Sequence, residues 1–149
     1  MANDLKWKDG SISTLLSSGL DSLTNTSRVI SSAYDNTTNL DFYGDLELAI
    51  AYTSSAPSAG ITVAQVYLLP TVDGTNYAEG SSSIAPQSSL LVATFESRNG
   101  STSAVEYLVA TGIPLPPRSF KILLVNTSGK TLKSSGNTLK ITPYKLQIV

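Results

Sequence analysis

Leu40-Asp41-Phe42-Tyr43-Gly44-Asp45-Leu46-Glu47-Leu48-Ala49-Ile50-Ala51-Tyr52-Thr53 repeats with a period of two. Leu40, Phe42, Leu46, Leu48, Ile50 and Tyr52 share one parity, and Asp41, Tyr43, Asp45 and Glu47 share the other. Successive side chains of a strand point to opposite faces. The pattern therefore predicts a long antiparallel strand with one face on a core and the other toward solvent or a partner. Gly44 interrupts the apolar parity and is expected at a bend or bulge.

Outward from this stretch, residues 61–69 are apolar at both parities, as a central strand covered on both sides requires, and Pro70 ends the run. Residues 89–97 and 104–111 are β-rich and flank Asn99-Gly100, whose tolerance of positive φ predicts that the two strands pair as a hairpin. Phe120, Ile122 and Leu124 alternate inward before a Ser128-Gly129-Lys130 turn. Leu139 and Ile141 share one parity while Tyr144, Leu146 and Ile148 take the other, which predicts a bulge or bend at Pro143. In residues 1–25, Ile12, Leu15, Leu16, Leu20 and Leu23 fit helical spacing, but the Ser and Thr between them favour an extended arm or short edge strand. A strand around residues 27–34 follows. The sum is an all-β chain of about eight strands, an antiparallel two-sheet sandwich of jelly-roll-like form. Residues 1–25 form its N-terminal arm or edge segment, and residues 26–149 a single sandwich domain.

The composition narrows the chemistry. A chain of 149 residues buries roughly 70% of its unfolded surface, so it is stable without disulfides, and cysteine is indeed absent. Histidine is absent too, which removes Ser-His and Cys-His pairs, His-ligated zinc and imidazole proton transfer. Ser and Thr make up 39 of the 149 residues and charged residues only 14%, so the surface is hydroxyl-rich. The net charge of -1 hides an asymmetry: residues 110–149 hold six bases and no acid, against four bases and eleven acids elsewhere. That split suits a basic docking face, or strands of opposite charge pairing within one sheet. A pI near 5.2 without clustered bases argues against a nucleic-acid partner. No continuous apolar run approaches the eighteen or so residues of a membrane span, so no membrane partner is expected. Lys6 and Lys8 are followed by no apolar core, so no secretory leader is read and synthesis in a cytoplasm is expected. The sequons at Asn25, Asn36, Asn99 and Asn126 then carry no meaning.

Several motifs touch known chemistries without completing them. Gly129-Lys130-Thr131 resembles the end of a phosphate loop, but position 124 is leucine where that loop needs glycine. Asp41, Asp45 and Glu47, on one predicted strand face, could form a carboxylate pair or a calcium site; a solvated charged face explains them better. Asp73-Gly74-Thr75-Asn76-Tyr77 offers calcium too few acidic ligands and reads as an Asp-Gly turn. Tyr67 and Tyr107 are expected in core or cross-strand packing, leaving Trp7, Tyr43 and Tyr77 as platforms on which a sugar ring could stack. Trp7 equally suits an arm that anchors on a neighbouring subunit. No catalytic, cofactor-binding or metal-ligating residue is assigned, and a non-enzymatic protein without cofactor is expected.

Three segments in this order resemble a family of small tailed-bacteriophage virion proteins, the jelly-roll-like decoration or cement proteins of the capsid. They are Ala33-Tyr34-Asp35-Asn36-Thr37-Thr38-Asn39-Leu40; Val66-Tyr67-Leu68-Leu69-Pro70 with Asp73-Gly74-Thr75-Asn76-Tyr77; and Gly112-Ile113-Pro114-Leu115-Pro116-Pro117 through Ser135-Gly136-Asn137-Thr138-Leu139. The resemblance covers about residues 20–144. It implies a structural protein on the capsid exterior, made in the host bacterial cytoplasm, that binds the major capsid protein, stabilises the head and clusters as a homotrimer. Under that reading the protein contacts are expected at Trp7, Leu15 and Leu16 in the arm and at the basic Lys130 and Lys133. The alternative is a tail-associated receptor-binding or carbohydrate-binding β-sandwich module.

Overall fold

A computed structural model describes residues 4–98 and 104–148. Among the described residues there are nine strands and two 3-10 turns, at Ser18–Leu20 and Ser88–Leu90. The strands are β1 (Leu5–Asp9), β2 (Ser13–Leu16), β3 (Arg28–Ile30), β4 (Tyr43–Ile50), β5 (Thr62–Pro70), β6 (Leu91–Glu96), β7 (Glu106–Pro114), β8 (Phe120–Asn126) and β9 (Thr138–Ile148). One sheet runs β1-β9-β4-β7, with β2 also on β9; the other runs β3-β8-β5-β6, and every pairing is antiparallel. Strands β2 to β9 therefore form two four-stranded sheets, 2-9-4-7 and 3-8-5-6, which is jelly-roll connectivity. β1 adds a ninth strand along the same edge of β9 as β2.

The alternation around Leu46 builds the core. Leu46, Leu48 and Ile50 face inward and meet Leu139 and Ile141 of β9, while Val66 and Leu68 of β5, with Ile122 and Leu124 of β8, close the core from the second sheet. β5 is covered on its outer face as well: Leu69 and Leu123 are fully buried, and Gly80, in the long β5–β6 connection, lies so close that a Cβ there would stand 3.1 Å from Leu69. The double-parity apolar pattern of β5 is thus the signature of a sheet with a loop packed on its back. No helix among the described residues is long and apolar enough to cross a membrane.

Four expectations need correction. The strand begins at Tyr43 rather than Leu40, because residues 36–41 form a turn closed by the fully buried Asn36; its side chain accepts from the Asp41 amide and donates to the Asp41 and Pro116 carbonyls. Leu40 takes a left-handed φ of 52°, and Asp41 is buried instead of sharing a solvated face with Asp45 and Glu47. Second, β6 and β7 do not pair: β6 lies on β5 and β7 on β4, so the chain between them crosses from one sheet to the other, as jelly-roll connectivity demands. The Asn99-Gly100 turn itself lies outside the described residues. Third, β9 runs past Pro143 in unbroken register with β4. The irregularity falls on the facing chain, where Asp9 pairs with Tyr144 but Ser13 with Ile141, so the N-terminal segment spends one extra residue; the Gly10 amide there donates to the Pro143 carbonyl at 2.7 Å. Fourth, Tyr107 is exposed on the edge strand β7, while Tyr67 is half-buried and pairs across to Leu123.

Candidate functional site

The parity change in β9 marks a second apolar surface. Ahead of Pro143, the odd positions Leu139 and Ile141 face the core; beyond it, the even positions Tyr144, Leu146 and Ile148 face outward, where β1 lays its own apolar residues beside them. Leu5 pairs with Ile148, Trp7 with Leu146 and Asp9 with Tyr144, while Tyr144 in turn pairs with Tyr43 of β4. An outward strip of Leu5, Trp7, Leu146 and Ile148 results, between 40% and 67% exposed.

At the inner end of this strip three rings converge. Trp7 stands edge-on to Tyr144, with centroids 5.4 Å apart, and to Tyr43 at 6.3 Å; Tyr43 and Tyr144 stack at 5.8 Å. With Asp9, Asp45 and Gly112 they line an open cleft of about 520 Å³. Asp45 is held in place by Gly112, whose amide donates to its carboxylate at 2.9 Å. That contact depends on a bulge: Gly44 pairs with Ile113 but Leu46 with Ala110, so Thr111 and Gly112 together oppose Asp45, and Gly112 takes a φ of 72° that suits glycine. Partial burial first, and the negative charge of the neighbouring Asp45 carboxylate second, raise the Tyr144 phenol above its ordinary pKa. The cleft is therefore aromatic on its walls and acidic at two points. No family model and no curated protein matches this chain.

The residues singled out in the sequence separate into four groups. Trp7 and Tyr43, two of the three aromatic platforms named from the sequence, come together in the cleft. Tyr77 lies elsewhere, with the Lys121 ammonium 4.4 Å from its ring centroid. Leu15 and Leu16 belong to the chain's own core edge: Leu16 is 5% exposed and Leu15 packs half-buried against the core, so the structure does not present Leu16 to a partner. Lys130 and Lys133 are half-buried in the β8–β9 connection, where their backbones hold neighbours: the Lys130 carbonyl accepts from Asn126, and the Lys133 carbonyl accepts from Ser22 and Asn137.

The Asp73 loop closes on itself, its carboxylate accepting from the Thr75 and Asn76 amides, the Asn76 side chain and the Thr71 hydroxyl. Those bonds pull its pKa well below the carboxylate range. The opposite-charge reading of the basic segment has one clear instance, Lys140 beside Glu47 at 3.6 Å on directly paired positions of β9 and β4. Tyr144 and Asp9 are the site residues that sequence reading missed, while Asp45 is named there only as part of a charged strand face with Asp41 and Glu47. The signal was the parity change at Pro143, which reports a change of apolar face rather than a bend.

Proposed function

We propose that this chain is a non-enzymatic virion structural protein that docks on the outer surface of a tailed-bacteriophage capsid and stabilises the head. The observation that carries the reading is the exposed strip of Leu5, Trp7, Leu146 and Ile148, assembled by pairing the N-terminal strand onto the last strand. Contiguous exposed apolar side chains are a recognised mark of protein contact surfaces, and aromatic residues are enriched at the buried centre of such surfaces. The residue-level resemblance of three segments to capsid decoration proteins supplies the partner class, the major capsid protein, and the homotrimeric arrangement.

The decisive measurement is the copy number of the polypeptide in purified virions, by quantitative mass spectrometry against the major capsid protein. A ratio near one, or a simple fraction of it, is expected. A few copies per particle would move the protein to the tail and support the receptor-binding alternative, and absence from virions would overturn both. The strip is tested separately: Trp7→Ala combined with Leu146→Ser should lower occupancy on the particles while leaving the urea midpoint of the core sheets, read by far-ultraviolet circular dichroism of the free protein, unchanged.

A further inference from the structure

We propose that the Trp7–Tyr43–Tyr144 cleft receives a cationic side chain, arginine in preference to lysine, presented by a partner protein. Asp9 and Asp45 both line the cleft, and no base does. Neither carboxylate has an ion pair among the described residues; the two ion pairs there join Glu47 to Lys140 and Asp41 to Lys145. The nearest bases by sequence, Lys6, Lys8 and Lys145, alternate onto the opposite side of β1 and β9. Lys8 and Lys145 border a second cleft with Asn39 and Asp41, which Asp9 also borders, but neither base makes an ion pair with Asp9. Two carboxylates without an ion pair among the described residues therefore flank three aromatic rings.

That combination selects its ligand. The face of an aromatic ring attracts a cation, most strongly for tryptophan, and a neighbouring carboxylate adds a charge-assisted hydrogen bond. A guanidinium satisfies both demands at once, since its plane lies on a ring while its fork of donors reaches a carboxylate; an ammonium has a point charge and a larger hydration shell to lose. The site is also prepared before binding. Asp45 is fixed by the Gly112 amide, Tyr144 is clamped between Asp9 of β1 and Tyr43 of β4 by strand register, and the rings already brace one another. A neutral sugar could stack on the same rings, but it would leave both carboxylates without a counter-charge.

The inference depends on the capsid-docking reading only for the partner's identity, and its test does not involve capsids. Trp7 is the single tryptophan of the chain, so intrinsic fluorescence reports directly on the cleft. Titrating the whole protein with the blocked peptide Ac-Gly-Arg-Gly-NH2 should change the emission saturably; Ac-Gly-Gln-Gly-NH2 and methyl glucoside should not. Asp9→Asn, which removes a charge but none of the hydrogen bonds that shape the site, should weaken the arginine peptide about tenfold, as loss of a charged hydrogen-bond partner predicts. Asp45→Asn should do so at least as strongly. A saturable response to the glucoside with none to the arginine peptide would overturn the proposal in favour of carbohydrate binding, and equal responses to the arginine and glutamine peptides, or none to either, would overturn it outright. Virion copy number is unaffected by any of these results, so the two readings fail separately.

Discussion

At the scale of single residues, the fold is held by buried polar side chains that serve as fasteners between segments far apart in sequence. Asn126 donates to the Leu23 and Lys130 carbonyls and accepts from Ser128, and Asn137 accepts from the Ala51 amide while donating to Asp21 and the Lys133 carbonyl. Both are at most 2% exposed, and a buried amide is tolerated only when its bonds are made. Tyr52 is the titratable counterpart. It is 3% exposed, and burial first, with the Glu106 carboxylate second, raises its phenol well above the ordinary value of 10.0. An unfolded tyrosine ionises near pH 10, whereas the folded one resists, so its stabilising contribution is complete below that pH and is lost as the pH rises further. Urea unfolding should accordingly show level stability up to about pH 10 and a decline above it. Tyr52→Phe should make the decline shallower without abolishing it, because Tyr34 and Tyr144 are shifted the same way. An unchanged alkaline slope in that variant would refute the assignment.

At the scale of elements, β4 shows how far a sequence pattern reaches. Leu46, Leu48, Ile50 and Tyr52 are all buried as their shared parity predicts, with the small Ala49 and Ala51 of the other parity buried too, and Gly44 sits where the β4–β7 ladder shifts register. The glycine also has a packing role invisible in the pattern: a Cβ would fall 2.7 Å from Cδ1 and 2.9 Å from Cγ1 of Ile141, itself fully buried. Gly44→Val should destabilise the protein by about 1–3 kcal/mol through overpacking, read as a lower urea midpoint at unchanged slope. A loss below about 0.5 kcal/mol would mean that β9 moves aside freely. By contrast, Leu40 and Phe42 obey the same parity and are exposed, because the Asn36-centred turn precedes the strand and no local periodicity reveals a bond closed by a side chain. The Asn99-Gly100 signal misled for a related reason. Turn propensity is local, whereas whether a turn joins neighbours in one sheet or passes between two is decided by the pairing of distant strands.

For the whole molecule, the nested connectivity explains both why the fold class was legible and why the site was not. Strand number and alternation are local properties, but the cleft joins residues 7, 43, 45, 112 and 144, which only the stacking of β1, β9, β4 and β7 brings side by side. The same architecture sets the order in which the molecule comes apart. Every residue of β1 is exposed, so that strand is held by its ladder with β9 and by ring contacts, whereas β2 to β9 share the core. Segments with few buried apolar contacts open at lower free energy than the core they border. In a urea titration Trp7 fluorescence, reporting β1, should therefore change at a lower midpoint than circular dichroism, reporting the sheets. Coincident midpoints would instead mean that β1 and the jelly roll melt as one cooperative unit, and the apolar strip would then be as permanent as the core. A separated, earlier Trp7 transition would make the strip a surface that partner contact can lock in place, and saturating arginine peptide should raise that midpoint while leaving the later one unmoved.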